Sequence, residues 1–161
     1  MHIKNPTMPL DFMRQAIALA LENIRDGGGP FAAVIVKNGA LIASGTNRVT
    51  ATNDPTAHAE VVAIRAACKR LESFQLDHCD LYTTCEPCPM CLGAIYWARP
   101  GRVFYASTAA DAAAAGFDDV FIYRELEVPL HERRIPMGEL LRDEASVIFK
   151  AWLAKPDKMS Y

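Results

Sequence analysis

The spacing of apolar positions changes several times along this chain, and each change predicts an element. Between residues 11 and 26, Phe12, Met13, Ala16, Ile17, Ala20, Leu21 and Ile24 recur three and four apart, which predicts a helix. Asp11 reads as its N-cap and Gly27-Gly28-Gly29 as its stop. A continuous apolar run follows, Phe31-Ala32-Ala33-Val34-Ile35-Val36, then Asn38-Gly39, then Leu41-Ile42-Ala43. Asn-Gly between two apolar runs is the strongest short signal for a hairpin. Asn47 comes just after the second strand. Asp54 and Pro55 read as N-cap and first position of the next helix, which continues through Val61, Val62, Ile64, Ala67 and Cys68 to about Leu71. That reading places His58 and Glu60 in or just after its first turns. Asp80-Leu81-Tyr82-Thr83-Thr84 has the pattern of a buried strand. It leads to Pro87, and a helix runs from about Cys88 to Trp97 or Ala98. Arg102-Val103-Phe104-Tyr105-Ala106 is the next strand.

The order α-β-β-α-β-α-β predicts a layered α/β domain with a mixed sheet, one domain spanning residues 1–161. Beyond Thr108 the pattern is weaker. Ala109 to Ala115 predicts a short helix closed by Gly116. Val120-Phe121-Ile122-Tyr123 fits strand or helix. Pro129 and the charges between Val128 and Arg134 suit an extended hinge. Glu139 to about Leu153 predicts one or two helices carrying Leu140, Leu141, Val147, Ile148, Phe149, Trp152 and Leu153, an apolar set too large to leave in water.

Composition narrows the classes of function. The chain has 161 residues, 51% of them hydrophobic, enough for one sizeable core. Its formal net charge of −2 argues against nucleic acid as a partner, because that needs clustered Lys and Arg. No apolar stretch approaches the ~20 residues of a membrane helix, and Met1 to Pro6 lacks the apolar segment of a signal peptide. A cytoplasmic setting is expected. There, five cysteines point to metal or catalysis more than to disulfides.

The chemistry gathers in two short stretches, His58-Ala59-Glu60 and Pro87-Cys88-Pro89-Met90-Cys91. Two thiolates and one imidazole are three ligands of an open zinc site whose fourth position is kept for water. Cys88 and Cys91, three apart at a helix start, can share one face, and the positive end of the helix favours thiolates. Glu60 cannot readily bind the metal beside His58, so it is better placed as general base for the zinc water. Competing readings are a redox Cys-x-x-Cys pair, without the strand and helix order that would suit it, and a structural four-ligand site or cluster, for which Cys85 is the available extra thiol. Cys68 and Cys79 read as small buried residues, and His2, His78 and His131 as surface histidines.

These stretches, with Gly28-Gly29-Pro30-Phe31, Asn53 to Glu60, Cys85 to Pro100, Ala115-Gly116-Phe117-Asp118-Asp119 and the terminal Tyr161, resemble the small bacterial guanine deaminases of the cytidine/deoxycytidylate deaminase fold. The zinc signature is common to deaminases of that fold and carries the chemistry, not the substrate. The resemblance implies a three-layer α-β-α fold with a mixed central sheet and a C-terminal helical segment. It implies one zinc per chain on His58, Cys88 and Cys91, and hydrolysis of guanine to xanthine and ammonia. By resemblance, Glu60 and Asp119 are the catalytic carboxylates, and Phe31, Asn47, Ala59, Trp97 and Tyr161 contact a purine base. It also implies a homodimer in which residues 128–161 cross to the partner. Within the fold the alternatives are a guanosine or guanine-like triazine deaminase and a tRNA adenosine deaminase. Outside it stands a non-enzymatic zinc-binding domain.

Overall fold

The computed structural model describes residues 9–161; His2 lies outside them. Helix α1 (Pro9–Arg25) leads to the hairpin of β1 (Ala32–Lys37) and β2 (Ala40–Thr46), a single turn α2 (Val49–Thr52), helix α3 (Ala59–Leu71), strand β3 (Cys79–Cys85), helix α4 (Pro89–Ala98) and strand β4 (Arg102–Ser107). Helices α5 (Ala109–Ala114), α6 (Val120–Glu127) and α7 (Arg142–Ala154) follow, with a 3-10 turn at Leu130–Glu132. The hairpin turns on Asn38 (φ 52°) and Gly39 (φ 73°), the two left-handed residues of a type I′ turn.

The four strands lie in the order β2-β1-β3-β4. β1 is antiparallel to both β2 and β3, and β4 adds to β3 in parallel. The sheet is therefore mixed, as the element order implied. Strand alternation divides the core in two. Val34, Val36 and Tyr82 meet Phe12 and Ala16 of α1 on one face. Ala33, Ile35, Cys79 and Leu81 meet Ala59, Ala63, Ile64 and Ala67 of α3, with Ile95 and Ala98 of α4, on the other. Three layers result. The odd-numbered residues of β3 point at the α3–α4 layer, so Thr83 lies on the same side as the start of α3.

At Gly45 a Cβ would fall 2.4 Å from the Ala59 carbonyl oxygen and 2.5 Å from the Ala63 nitrogen. Only glycine lets β2 come this close to α3, and that contact sets the height of the first turn of α3 over the sheet.

Several boundaries differ from the sequence reading. α1 begins at Pro9, and Asp11 lies in its first turn beside Arg14. Its buried face is Phe12, Ala16, Ala20 and Asn23, while Ile17, Leu21 and Ile24 face outward. Small alanines allow the helix to lie close on the sheet. Asp54-Pro55 does not open α3. The Asp54 carboxylate accepts from the Thr56 amide and hydroxyl at 2.8 and 2.7 Å, forming a local turn. The His58 amide then donates to the Thr56 carbonyl at 2.8 Å. Two tight turns thus hold back the helix until Ala59. Val120–Tyr123 is helical. The Val128–Arg134 stretch is not simply extended. Pro129 caps the 3-10 turn, and the Arg133 guanidinium donates to the Val128 carbonyl at 3.3 Å.

The chain forms two compact units, one ending at Asp119 and one from Val120 to Tyr161. No residue of the second unit is buried. No helix among the described residues is long and apolar enough to cross a membrane.

Candidate active site

Two helix starts build the site. His58 is the N-cap of α3, with Glu60 two residues into the helix. Cys88 is the N-cap of α4, Pro89 holds its first position, where a missing N–H costs nothing, and Cys91 is the third helical residue. An N-cap side chain projects beyond the helix end, so two such ends facing each other bring together residues far apart in sequence. The His58 Nδ1 atom lies 3.5 Å from the sulfur of Cys88 and 3.5 Å from that of Cys91. Zn–S and Zn–N bonds of ~2.3 and ~2.0–2.1 Å at tetrahedral angles require a sulfur–nitrogen separation of about 3.5 Å. Among the described residues, His58, Cys88 and Cys91 form the one group of three donor side chains able to hold a metal ion, their donor atoms lying within 4.8 Å of one another.

The electrostatics favour a cation. The hydrogen bond from Cys91, with further help from His58, brings the Cys88 thiol down to about 4. Cys91 is pushed up, first by that hydrogen bond to Cys88 and then by burial and the Glu60 charge. A second thiolate beside Cys88 and Glu60 therefore needs a positive ion. His58 is raised mainly by its hydrogen bond with Cys88. A divalent ion, when bound, takes the place of protons on these groups, since thiolate and neutral imidazole are the forms that ligate.

Glu60 is 6% exposed. Burial raises its carboxyl above the usual range. The hydroxyl of Thr83, itself almost fully buried, donates to Oε1 at 2.9 Å, and Oε2 lies 3.4 Å from the Cys91 sulfur. The carboxylate is thus held beside the trio and outside it. Thr83 had no sequence signal beyond its place in a buried strand, and only the strand's facing shows its role. Cys85 is not part of the trio. Its thiol donates to the Thr108 carbonyl at 3.5 Å, and burial pushes it up to about 11. A protonated thiol turned to a carbonyl is not a fourth ligand.

Residues 7–107 match the family model of the cytidine and deoxycytidylate deaminase zinc-binding region. The chain belongs to this deaminase family. Zinc is accordingly its cofactor, and the trio has the donor set that zinc prefers. A guanine deaminase from Bacillus subtilis strain 168 is 59% identical over 151 residues, 93% of this chain and 97% of that protein. The X-ray structure of guanine deaminase from Bacillus subtilis superposes with a TM-score of 0.93 at 57% identity, covering 96% of this chain and 99% of that one. A tRNA-specific adenosine deaminase from Aquifex aeolicus is 35% identical over 144 residues, 89% of this chain and 93% of that protein.

The remaining residues that the sequence singled out are distributed unevenly over this deaminase. Ala59 is buried at the first position of α3, where a backbone amide has no intrahelical acceptor. Asn47 follows β2; its Oδ1 accepts from the Val49 amide at 3.2 Å and its own amide donates to the Phe31 carbonyl at 3.0 Å. Phe31 meets Phe117 edge to face, with ring centroids 4.9 Å apart. Two residues on, Asp119 is half-buried; burial and then the charge of Cys88 raise its carboxyl, which places it within electrostatic reach of the trio. Trp97 lies near the far end of α4, mostly exposed, about 13 Å along the helix axis from Cys88. Tyr161 is exposed in the second unit. Phe31, Thr84, Cys85, Ser107, Asp111 and Phe117 also line a cleft of about 170 Å³, which includes none of the trio.

Proposed function

We propose that this protein hydrolyses guanine to xanthine and ammonia, with one zinc ion per chain held by His58, Cys88 and Cys91. The observation that carries the reading is the buried Glu60 carboxylate beside that trio, in a chain so closely similar to a guanine deaminase. Zinc, when bound, supplies a water that loses a proton near neutral pH. Glu60 takes that proton and delivers it to the ring nitrogen beside the carbon that bears the amino group. Its raised pKa suits a group that must hold the proton briefly and then release it. Asp119, raised in the same direction, supports the second transfer, which makes ammonia the leaving group. Phe31 offers a ring face to the base, and Asn47 and the Ala59 amide offer hydrogen bonds to its edge.

Guanine should be turned over far faster than adenine, cytosine or cytidine. A site that hydrogen-bonds a base edge rejects analogues that leave its own polar groups unpaired, by up to ~10⁴. The check is ammonia release across these bases together with guanosine and a guanine-like triazine. A best substrate other than guanine would overturn the substrate reading and leave the zinc chemistry standing. The similarity to a tRNA-specific adenosine deaminase makes tRNA a second candidate. The net charge of −2 weighs against it, since tRNA binding is driven largely by cations on the protein.

The working form in this proposal is a homodimer in which residues 128–161 cross to the partner and Tyr161 closes its site. Val147, Ile148, Phe149, Trp152 and Leu153 of α7 are all exposed, and full burial of an aliphatic or Phe side chain is worth at most roughly 1.5–3 kcal/mol. A second copy is the natural cover. Trp97 would meet a base only where a second surface is brought to it. Subunits carrying Glu60→Gln, mixed with subunits truncated before Lys158, should regain activity, because a truncated chain keeps its own Glu60 and borrows an intact tail. Verified mixed dimers that stay inactive would count against the swap.

A further inference from the structure

We infer that Asn23 is a positioning residue for the base-binding end of the site, holding the Gly28–Phe31 loop and Asn47 in one arrangement. The inference rests on the reading of Phe31 and Asn47 as base contacts. Asn23 sits in the last turns of α1 on the inward face with Phe12, Ala16 and Ala20, and it is 6% exposed. Helical spacing would put an apolar side chain there. A buried amide at that position costs free energy unless every polar atom is matched.

The matching partners are backbone groups of two other segments. The Asn23 amide nitrogen donates to the Gly29 carbonyl at 2.8 Å and to the Asn47 carbonyl at 3.1 Å. Its own backbone carbonyl accepts from the Gly28 amide at 2.8 Å. Among the described residues no buried side-chain nitrogen or oxygen lacks a partner. One side chain therefore ties the end of α1, the loop before β1 and the residue after β2. The loop is shaped to fit it. A Cβ at Gly28 would fall 2.4 Å from the Asn23 amide nitrogen, so a larger residue there would push that amide off its two carbonyls. A Cβ at Gly29 would lie 3.3 Å from Cγ of Asn47, so the loop also rests on the Asn47 side chain.

Asn47 gains the most from this. Its carbonyl is held by Asn23, its amide by Phe31 and its Oδ1 by Val49. Both side-chain donations of Asn23 go to backbone carbonyls of Gly29 and Asn47, and neither goes to His58, Glu60, Cys88 or Cys91. Its influence should thus fall on how the base is held, and not on the metal or on proton transfer.

The test is a double-mutant cycle on guanine turnover, with zinc content and thermal midpoint measured alongside. Asn23→Asp keeps the volume but sets a carboxylate oxygen against two carbonyl oxygens. It should raise KM for guanine about tenfold or more, with kcat nearly unchanged and zinc retained. Asn23→Ser, which keeps one donor, should fall between this and the natural chain. In the Asn47→Ala background, Asn23→Asp should add little further loss in kcat/KM, because both changes act on the same base contact. A merely structural role would leave the effects on kcat/KM independent. Unchanged KM, a fall in kcat alone, or independent effects would overturn the inference. If Asn23→Asp does not fold, Asn23→Ser paired with Asn47→Ala reads the same cycle. If the natural chain does not deaminate guanine, the substrate reading fails separately, and the cycle is then read on whichever base of the panel is turned over.

Discussion

Glu60→Gln is expected to bind zinc and fold normally, yet deaminate guanine at least ~10²–10⁴ times more slowly, the scale of general acid–base catalysis. The substitution is close to isosteric at a site with no room to spare. The new amide oxygen can still accept from the Thr83 hydroxyl, now 2.9 Å from Oε1. The new NH₂ can face the Cys91 sulfur where Oε2 lies at 3.4 Å, and a metal-bound thiolate accepts such a donor. Packing and polar matching are therefore preserved. What is lost is the ability to take a proton and return it. Zinc content by metal analysis, the thermal midpoint and steady-state rates check the result together. Near-normal turnover with zinc in place would remove Glu60 from the mechanism.

Cys88→Ala is expected to abolish both zinc binding and activity, whereas Cys85→Ala should keep one zinc per chain. The two cysteines are three residues apart; the sequence reading made Cys88 the ligand and kept Cys85 only as the extra thiol of a competing structural site. The structure gives them opposite surroundings. Cys88 caps α4, meets His58 at 3.5 Å and is favoured as a thiolate. Cys85 is buried, donates to the Thr108 carbonyl and stays protonated. Removing Cys88 leaves two ligands, too few for a retained zinc site. Removing Cys85 deletes a buried thiol and should cost on the order of 1 kcal/mol of stability. The stoichiometry of zinc in the two purified variants decides the matter. Zinc lost from Cys85→Ala would mean a closed, four-ligand structural site and no position for a catalytic water.

Some of this was legible because it rests on local rules. Asn38-Gly39 between apolar runs makes a hairpin because both residues tolerate positive φ. The His-x-Glu and Pro-Cys-x-x-Cys stretches announce zinc because few other arrangements use those donors at helix starts. Sequence and structure part where two local rules compete. Asp54-Pro55 has the chemistry of a helix start, but the Asp54 side chain bonds Thr56 and closes a turn, so α3 begins later with His58 as its cap. In α1 the apolar period fits two faces, and the alanine face won because the sheet lies close beneath it.

By itself, then, the sequence determined the order of the main elements as far as β4, the metal-binding residue types and the carboxylate near them in the chain, since these depend on neighbours along the chain. Tertiary structure decided what depends on neighbours in space. It turned Thr83 toward Glu60 through the alternation of β3, separated Cys85 from Cys88 and Cys91, and let β2 approach α3 at Gly45. It also gave a buried asparagine in α1 its partners in two other segments. A hydrogen bond or a close approach between distant residues is fixed by how layers pack, and no spacing along the chain encodes that distance.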